Sequence, residues 1–106
     1  MMITYSRGGK ADVFWLSIPA PRSPERQALQ IVGNAAVTKA AEGLPRVRIV
    51  RLDRVFTPGG VYRDVMTYHG RRLRVRESDG IHLSLPGARI AAEKVAAALR
   101  AARVVR

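Results

Sequence analysis

The 106-residue chain contains no cysteine, which excludes a disulfide framework and any thiolate metal site and leaves the redox compartment open. Acidic side chains are few: 8 Asp plus Glu stand against 19 Lys plus Arg, giving a formal charge of +11. Aromatic residues make up 6% of the chain, too few to interleave with the basic residues as base-stacking platforms. Two histidines without clustered carboxylates argue against a zinc site. No apolar run reaches the roughly 20 residues of a membrane-spanning helix, and the first residues lack the charged start and apolar stretch of a secretory signal. As written, the chain is expected to stay in the cytoplasm.

Hydrophobic residues account for 47% of the total, which suits a folded protein rather than a disordered tail, and the length bounds it to a single small domain over residues 1–106. The arginines are scattered through several segments instead of being massed on one helix. That distribution reads as a solvated surface, with a small basic binding module for nucleic acid or an acidic polymer as the alternative.

Residues 1–11 show no clear period and end in Arg7-Gly8-Gly9-Lys10, so a ragged start is expected. Residues 12–18 form a short apolar run with Val13, Phe14, Trp15, Leu16 and Ile18, the pattern of a strand buried on both faces of a parallel sheet. Pro19-Ala20-Pro21 stops it. Ser23 before Pro24, with Glu25 next, has the chemistry of a helix start. Leu29, Val32 or Gly33, Ala36, Val37 and Ala40 then recur at helical spacing until Gly43, a plausible C-cap. Residues 47–52 alternate apolar and arginine, as at a sheet edge. Strand, helix and strand in that order make a βαβ unit. After an excursion over 53–58, residues 61–68 and 71–76 fit an irregular hairpin around His69-Gly70, for which a loop histidine is the default. Pro86, with Ser84 or Leu85 as cap, opens a C-terminal helix striped by Ile90, Ala91, Val95, Ala98, Leu99 and Ala102.

The chemically informative pair is Asp79 and His82, three residues apart ahead of that helix. A carboxylate that accepts from one imidazole nitrogen fixes the ring tautomer and supports its protonated form, leaving the other nitrogen free to take a proton. Asp79-Gly80 is a natural tight turn that can fold the ring back over the acid. The bland alternative is an aspartate capping its own loop and a surface histidine. Ligands of open α/β sheets bind beyond the carboxyl ends of the strands. Residues 19–22 and the pair can thus face one site, with Arg22 a candidate substrate contact and Trp15 a wall or, more simply, core.

Asp79-Gly80-Ile81-His82 followed by Leu83-Ser84-Leu85-Pro86-Gly87-Ala88 resembles the last conserved block of the SGNH, or GDSL-like, hydrolase superfamily, whose DxxH motif supplies acid and base. Upstream, the stretch from Val13 to Arg22 looks like the fourth-strand segment of an actinobacterial, envelope-associated branch of that superfamily. The resemblance runs from Asp12 to the C-terminal helix and implies an α/β fold, here a partial flavodoxin-like three-layer sandwich. It implies catalytic roles for Asp79 and His82, an ester substrate and neither metal nor organic cofactor. Tyr5-Ser6-Arg7-Gly8 is not the Gly-Asp-Ser nucleophile block, and Gly33-Asn34 falls inside a helical pattern rather than after a strand. The chain therefore resembles the C-terminal part of such an enzyme, expected to be inactive alone. It is also expected to expose a sheet edge for self-association or a partner chain, and to belong in the cell envelope if a preceding half carries an export signal.

Overall fold

Residues 2–7 and 10–103 are described in a computed structural model of the chain. Strand β2 (Lys10–Leu16) lies between antiparallel β1 (Met2–Arg7) and parallel β3 (Val47–Val50). Residues 2–7 thus form a strand where an irregular start was expected, paired from Met2↔Trp15 to Arg7↔Lys10. A Gly-Gly pair between two short runs is a hairpin signal, masked in the sequence by the lack of a clear period before it. Met1, Gly8 and Gly9 themselves lie outside the described residues.

Along β2 the side chains alternate. Asp12, Phe14 and Leu16 are buried on one face, while Val13 and Trp15 are half-buried on the other. The strand is therefore sealed on one face, not on both as its apolar run suggests. Phe14, Leu16, Val50, Leu52, Phe56, Val75 and Ile90 form the core. Buried Asp12 is held there by Arg46 at 2.8 Å and Arg48 at 3.0 Å.

Helix α1 (Pro24–Ala41) starts where the Ser23 hydroxyl accepts from the Arg26 N–H at 3.3 Å and joins the two parallel strands. Its expected apolar stripe is not sealed. None of its residues is fully buried, Leu29 and Val32 are 75% and 68% exposed, and of the stripe only Gly33 and Val37 are half-buried. A cleft of about 470 Å³ opens between helix and sheet, walled by Val13, Trp15, Val37, Ala41 and Val47. Trp15 is half-buried and lines that cleft, which includes none of residues 19–22, Asp79 or His82.

Beyond β3 the chain makes a short helix, α2 (Leu52–Phe56), that the sequence pattern leaves unmarked; it buries Leu52 and Phe56. A 3-10 turn over Pro58–Gly60 follows. The hairpin is shorter than the spacing predicts: β4 (Val65–Tyr68) pairs with β5 (Arg71–Arg74) through His69 and Gly70, both at positive φ. Helix α3 (Leu85–Ala101) begins at Ser84, whose hydroxyl accepts from the Gly87 N–H at 3.2 Å. Ile90 is buried, and Ala91, Val95, Ala98, Leu99 and Ala102 pack on the core, matching the expected stripe. The whole is a mixed α/β fold of two small sheets and three helices among the described residues, compatible with part of an α/β sandwich. No helix among those residues is long and apolar enough to cross a membrane.

Candidate acid-base site

The loop between β5 and α3 is closed at its base by a bridge from Arg76 to Leu83. Inside it the Glu77 N–H donates to the His82 carbonyl at 2.8 Å, and the Gly80 N–H to the Glu77 carbonyl at 3.1 Å. Gly80 sits at φ +71°, which glycine adopts without steric cost. The turn brings His82 back over Asp79. One carboxylate oxygen, Oδ1, accepts from the backbone N–H groups of Ile81 at 2.8 Å and His82 at 3.0 Å, and the other, Oδ2, lies 2.5 Å from His82 Nδ1. Asp79 is at once the cap of its own turn and the partner of the ring, so the bland and the chemical readings of this residue describe one geometry.

The hydrogen bond to the ring, followed by those from the two backbone N–H groups, holds the Asp79 carboxyl well below the usual carboxylate range. Beside an ionised carboxylate, a neutral imidazole is expected to hold its hydrogen on Nδ1, which leaves the Nε2 lone pair free. The His82 side chain is 75% exposed, so the ring edge away from Asp79 is open to solvent.

The chain after β2 is fixed beside this loop almost entirely by side chains. Asn34 of α1 grips Ile18 at both polar ends, its Oδ1 accepting from the N–H and its Nδ2 donating to the carbonyl, each at 2.9 Å. Thr57 accepts from the Ala20 N–H at 3.1 Å, and Gln27 donates to the Pro21 carbonyl at 2.9 Å. Arg22 follows, giving its backbone N–H to Gly80 and its Nη2 to the Ser78 carbonyl, both at 2.9 Å. Residues 18–22 and the Asp79 loop are therefore neighbours, as expected, but the guanidinium of Arg22 is turned onto the loop. Asn34 and Thr57 carry no sequence signal for this task, since each is a lone polar residue in a helix or at its end.

A second polar cluster lies at the carboxyl ends of β2 and β3. Ser17 donates to Asp53 at 2.5 Å, and Arg51 meets the same carboxylate with two bonds of 2.9 and 2.8 Å. The Arg51 bonds, followed by that from Ser17, pull Asp53 down to about 2 against the penalty of burial. Ser17 is buried and its hydroxyl is committed to a carboxylate, an arrangement that ties strand end to helix start and does not ready a nucleophile. The Ser6 side chain lies outside the described residues. The His69 ring lies tilted by 58° against that of Tyr68 with ring centres 4.1 Å apart, and the described residues contain no group of three or more His, Cys, Asp or Glu able to hold a metal ion.

Compared with known proteins, residues 1–98 match the profile of a family described as a protein of unknown function, DUF459. No curated protein matches the chain.

Proposed function

Since the chain belongs to the DUF459 family, which is related to the SGNH/GDSL-like hydrolases, we propose that it is the acid-base, C-terminal part of a serine ester hydrolase of the envelope-associated actinobacterial kind. The observation that carries this is the Asp79 Oδ2 to His82 Nδ1 contact at 2.5 Å, on a loop that leaves the ring exposed. In this reading a serine on a segment outside this chain attacks the acyl carbonyl. His82 Nε2 takes the hydroxyl proton and returns it to the departing alcohol, while Asp79 holds the imidazole and stabilises its charge. Water then attacks the acyl-serine with the same base. Small acyl esters, including O-acetyl groups on envelope polysaccharide, are the proposed substrates, and the cell envelope the proposed place of action.

The segment carrying the serine also answers a packing problem. β3 has one hydrogen-bonded neighbour among the described strands, and α1 exposes Leu29, Ile31 and Val32. An open strand edge next to an uncovered apolar helix favours a further layer or self-association. A nucleic-acid role draws less support, because Arg46 and Arg48 are paired with Asp12 and Arg51 with Asp53.

The test is an activated ester such as p-nitrophenyl acetate. The chain alone is expected to give no burst, since lost oxyanion donors alone cost on the order of 10² to 10³ in rate. Joined to a segment bearing the Gly-Asp-Ser block it should give a stoichiometric burst that disappears in His82→Ala. A burst of equal size from the His82→Ala protein, or one from the chain alone that is lost in Ser6→Ala, would overturn the assignment.

A further inference from the structure

Arg76 is 1% exposed, yet two of its nitrogens, Nε and Nη1, have no hydrogen-bond partner. A buried cation left partly unsatisfied is costly, and an apolar residue of similar length commonly serves stability as well or better. What the guanidinium does make is specific. Its Nη2 donates to the Ile81 carbonyl at 3.1 Å, and its Cζ lies 4.7 Å from the centre of the Tyr62 ring. The same ring has the Arg22 guanidinium 6.0 Å from its centre, and its hydroxyl is anchored on Asp64 at 2.5 Å. Two arginines from distant parts of the chain thus meet on one aromatic ring, and both reach the loop that carries Asp79 and His82.

The peptide planes of that loop show what the arrangement accomplishes. In a planar trans peptide the C=O and the next N–H point in opposite directions. The Gly80 carbonyl accepts from the backbone N–H of Arg22 while the N–H of the same peptide unit, on Ile81, donates to Asp79 Oδ1. The Ile81 carbonyl accepts from Arg76 while its partner N–H, on His82, donates to the same oxygen. Each plane is held at both ends, the first by the backbone N–H of Arg22 and the second by the guanidinium of Arg76, so that two N–H groups are aimed at Asp79 and its other oxygen is oriented toward the ring.

We propose that Arg22, Tyr62 and Arg76 form a positioning clamp that sets the Asp79–His82 pair from behind, an inference that rests on the acid-base reading of that pair. None of the three touches substrate in this role. The single bond from Arg22 Nη2 to the Ser78 carbonyl completes the hold, the Arg22 side chain occupying space that a Cβ on Gly80 would need.

The test reads the His82 ring directly, through the ¹⁵N shifts of its two nitrogens in the intact chain, with amide protection in α3 as the control for folding. Tyr62→Leu and Arg76→Met are expected to lower the ratio of the Nδ1–H to the Nε2–H tautomer about fivefold or more, the size of one lost hydrogen bond, with α3 protection retained. Tyr62→Phe, which keeps the ring face, should match the wild type. If Arg76→Met fails to fold, Tyr62→Leu decides, since Arg22→Ala would keep the backbone N–H on the Gly80 carbonyl. Wild-type ratios in Tyr62→Leu and in a folded Arg76→Met protein overturn the clamp, as does a loss in Tyr62→Phe equal to that in Tyr62→Leu. A wild-type ring with no preference for Nδ1–H instead removes the acid-base reading itself, so the two failures are told apart.

Discussion

Arg22 lies against Gly80: its N–H donates to the Gly80 carbonyl at 2.9 Å, and a Cβ built on Gly80 would come within 2.8 Å of Arg22 Cβ, Nε and Cζ. The glycine is required twice, for its φ of +71° and for the room it leaves. Gly80→Ala should therefore destabilise the protein by about 1–3 kcal/mol, from left-handed strain and the displaced arginine, as measured by urea unfolding. A loss below a few tenths of a kcal/mol would mean that the loop relaxes freely.

Two helical glycines should respond with opposite signs. At Gly87 a Cβ would sit 2.3 Å from the Val75 carbonyl oxygen, a backbone atom that cannot swing aside, whereas at Gly33 nothing lies within 4 Å. The helix propensity gained by alanine, about 1 kcal/mol, is outweighed at Gly87 by overpacking of about 1–3 kcal/mol and is unopposed at Gly33. Gly87→Ala is expected to lower the urea midpoint and Gly33→Ala to raise it. A stabilised Gly87→Ala protein would show that α3 does not press on residue 75 as described.

How much of this was legible beforehand differs by element. The βαβ order, both helix starts and the α3 stripe follow from local chemistry, namely a serine before a proline and apolar residues at helical spacing. The Asp79–His82 approach was also legible, because a turn of Asp-Gly brings residues three apart together without help from the rest of the chain. Strand β1 and helix α2 were not, since the first needs its partner strand and the second is too short for a period to show. The unsealed face of α1 was hidden as well: Leu29 and Val32 recur like core residues, and only the arrangement of layers shows that nothing among the described residues covers them. Arg76 was concealed among Arg71, Arg72 and Arg74, which are exposed while it is buried, for strand alternation cannot mark where a loop folds back over a side chain.

Acid should reveal the Ser17–Asp53–Arg51 cluster. The carboxyl falls from 3.8 in the reference state to about 2 in the fold. A lowered pKa contributes stability that is complete above the unfolded value and is lost as pH falls through the folded one. The melting temperature is thus expected to drop between about pH 4 and pH 2, and Asp53→Asn should flatten that drop while lowering stability at neutral pH. Parallel acid limbs in the two proteins would assign the loss to other carboxylates.

The most direct measurement of the central claim compares the His82 ring in the wild type and in Asp79→Asn, using its two ¹⁵N shifts at a pH where the imidazole is neutral. An aspartate at Nδ1 demands a hydrogen there, while an asparagine amide can donate to Nδ1 and move the hydrogen to Nε2. The account predicts a wild-type ring that is mainly Nδ1–H and a variant shifted toward Nε2–H. Identical shifts in the two proteins would contradict it, because the imidazole would then be indifferent to the acid beside it.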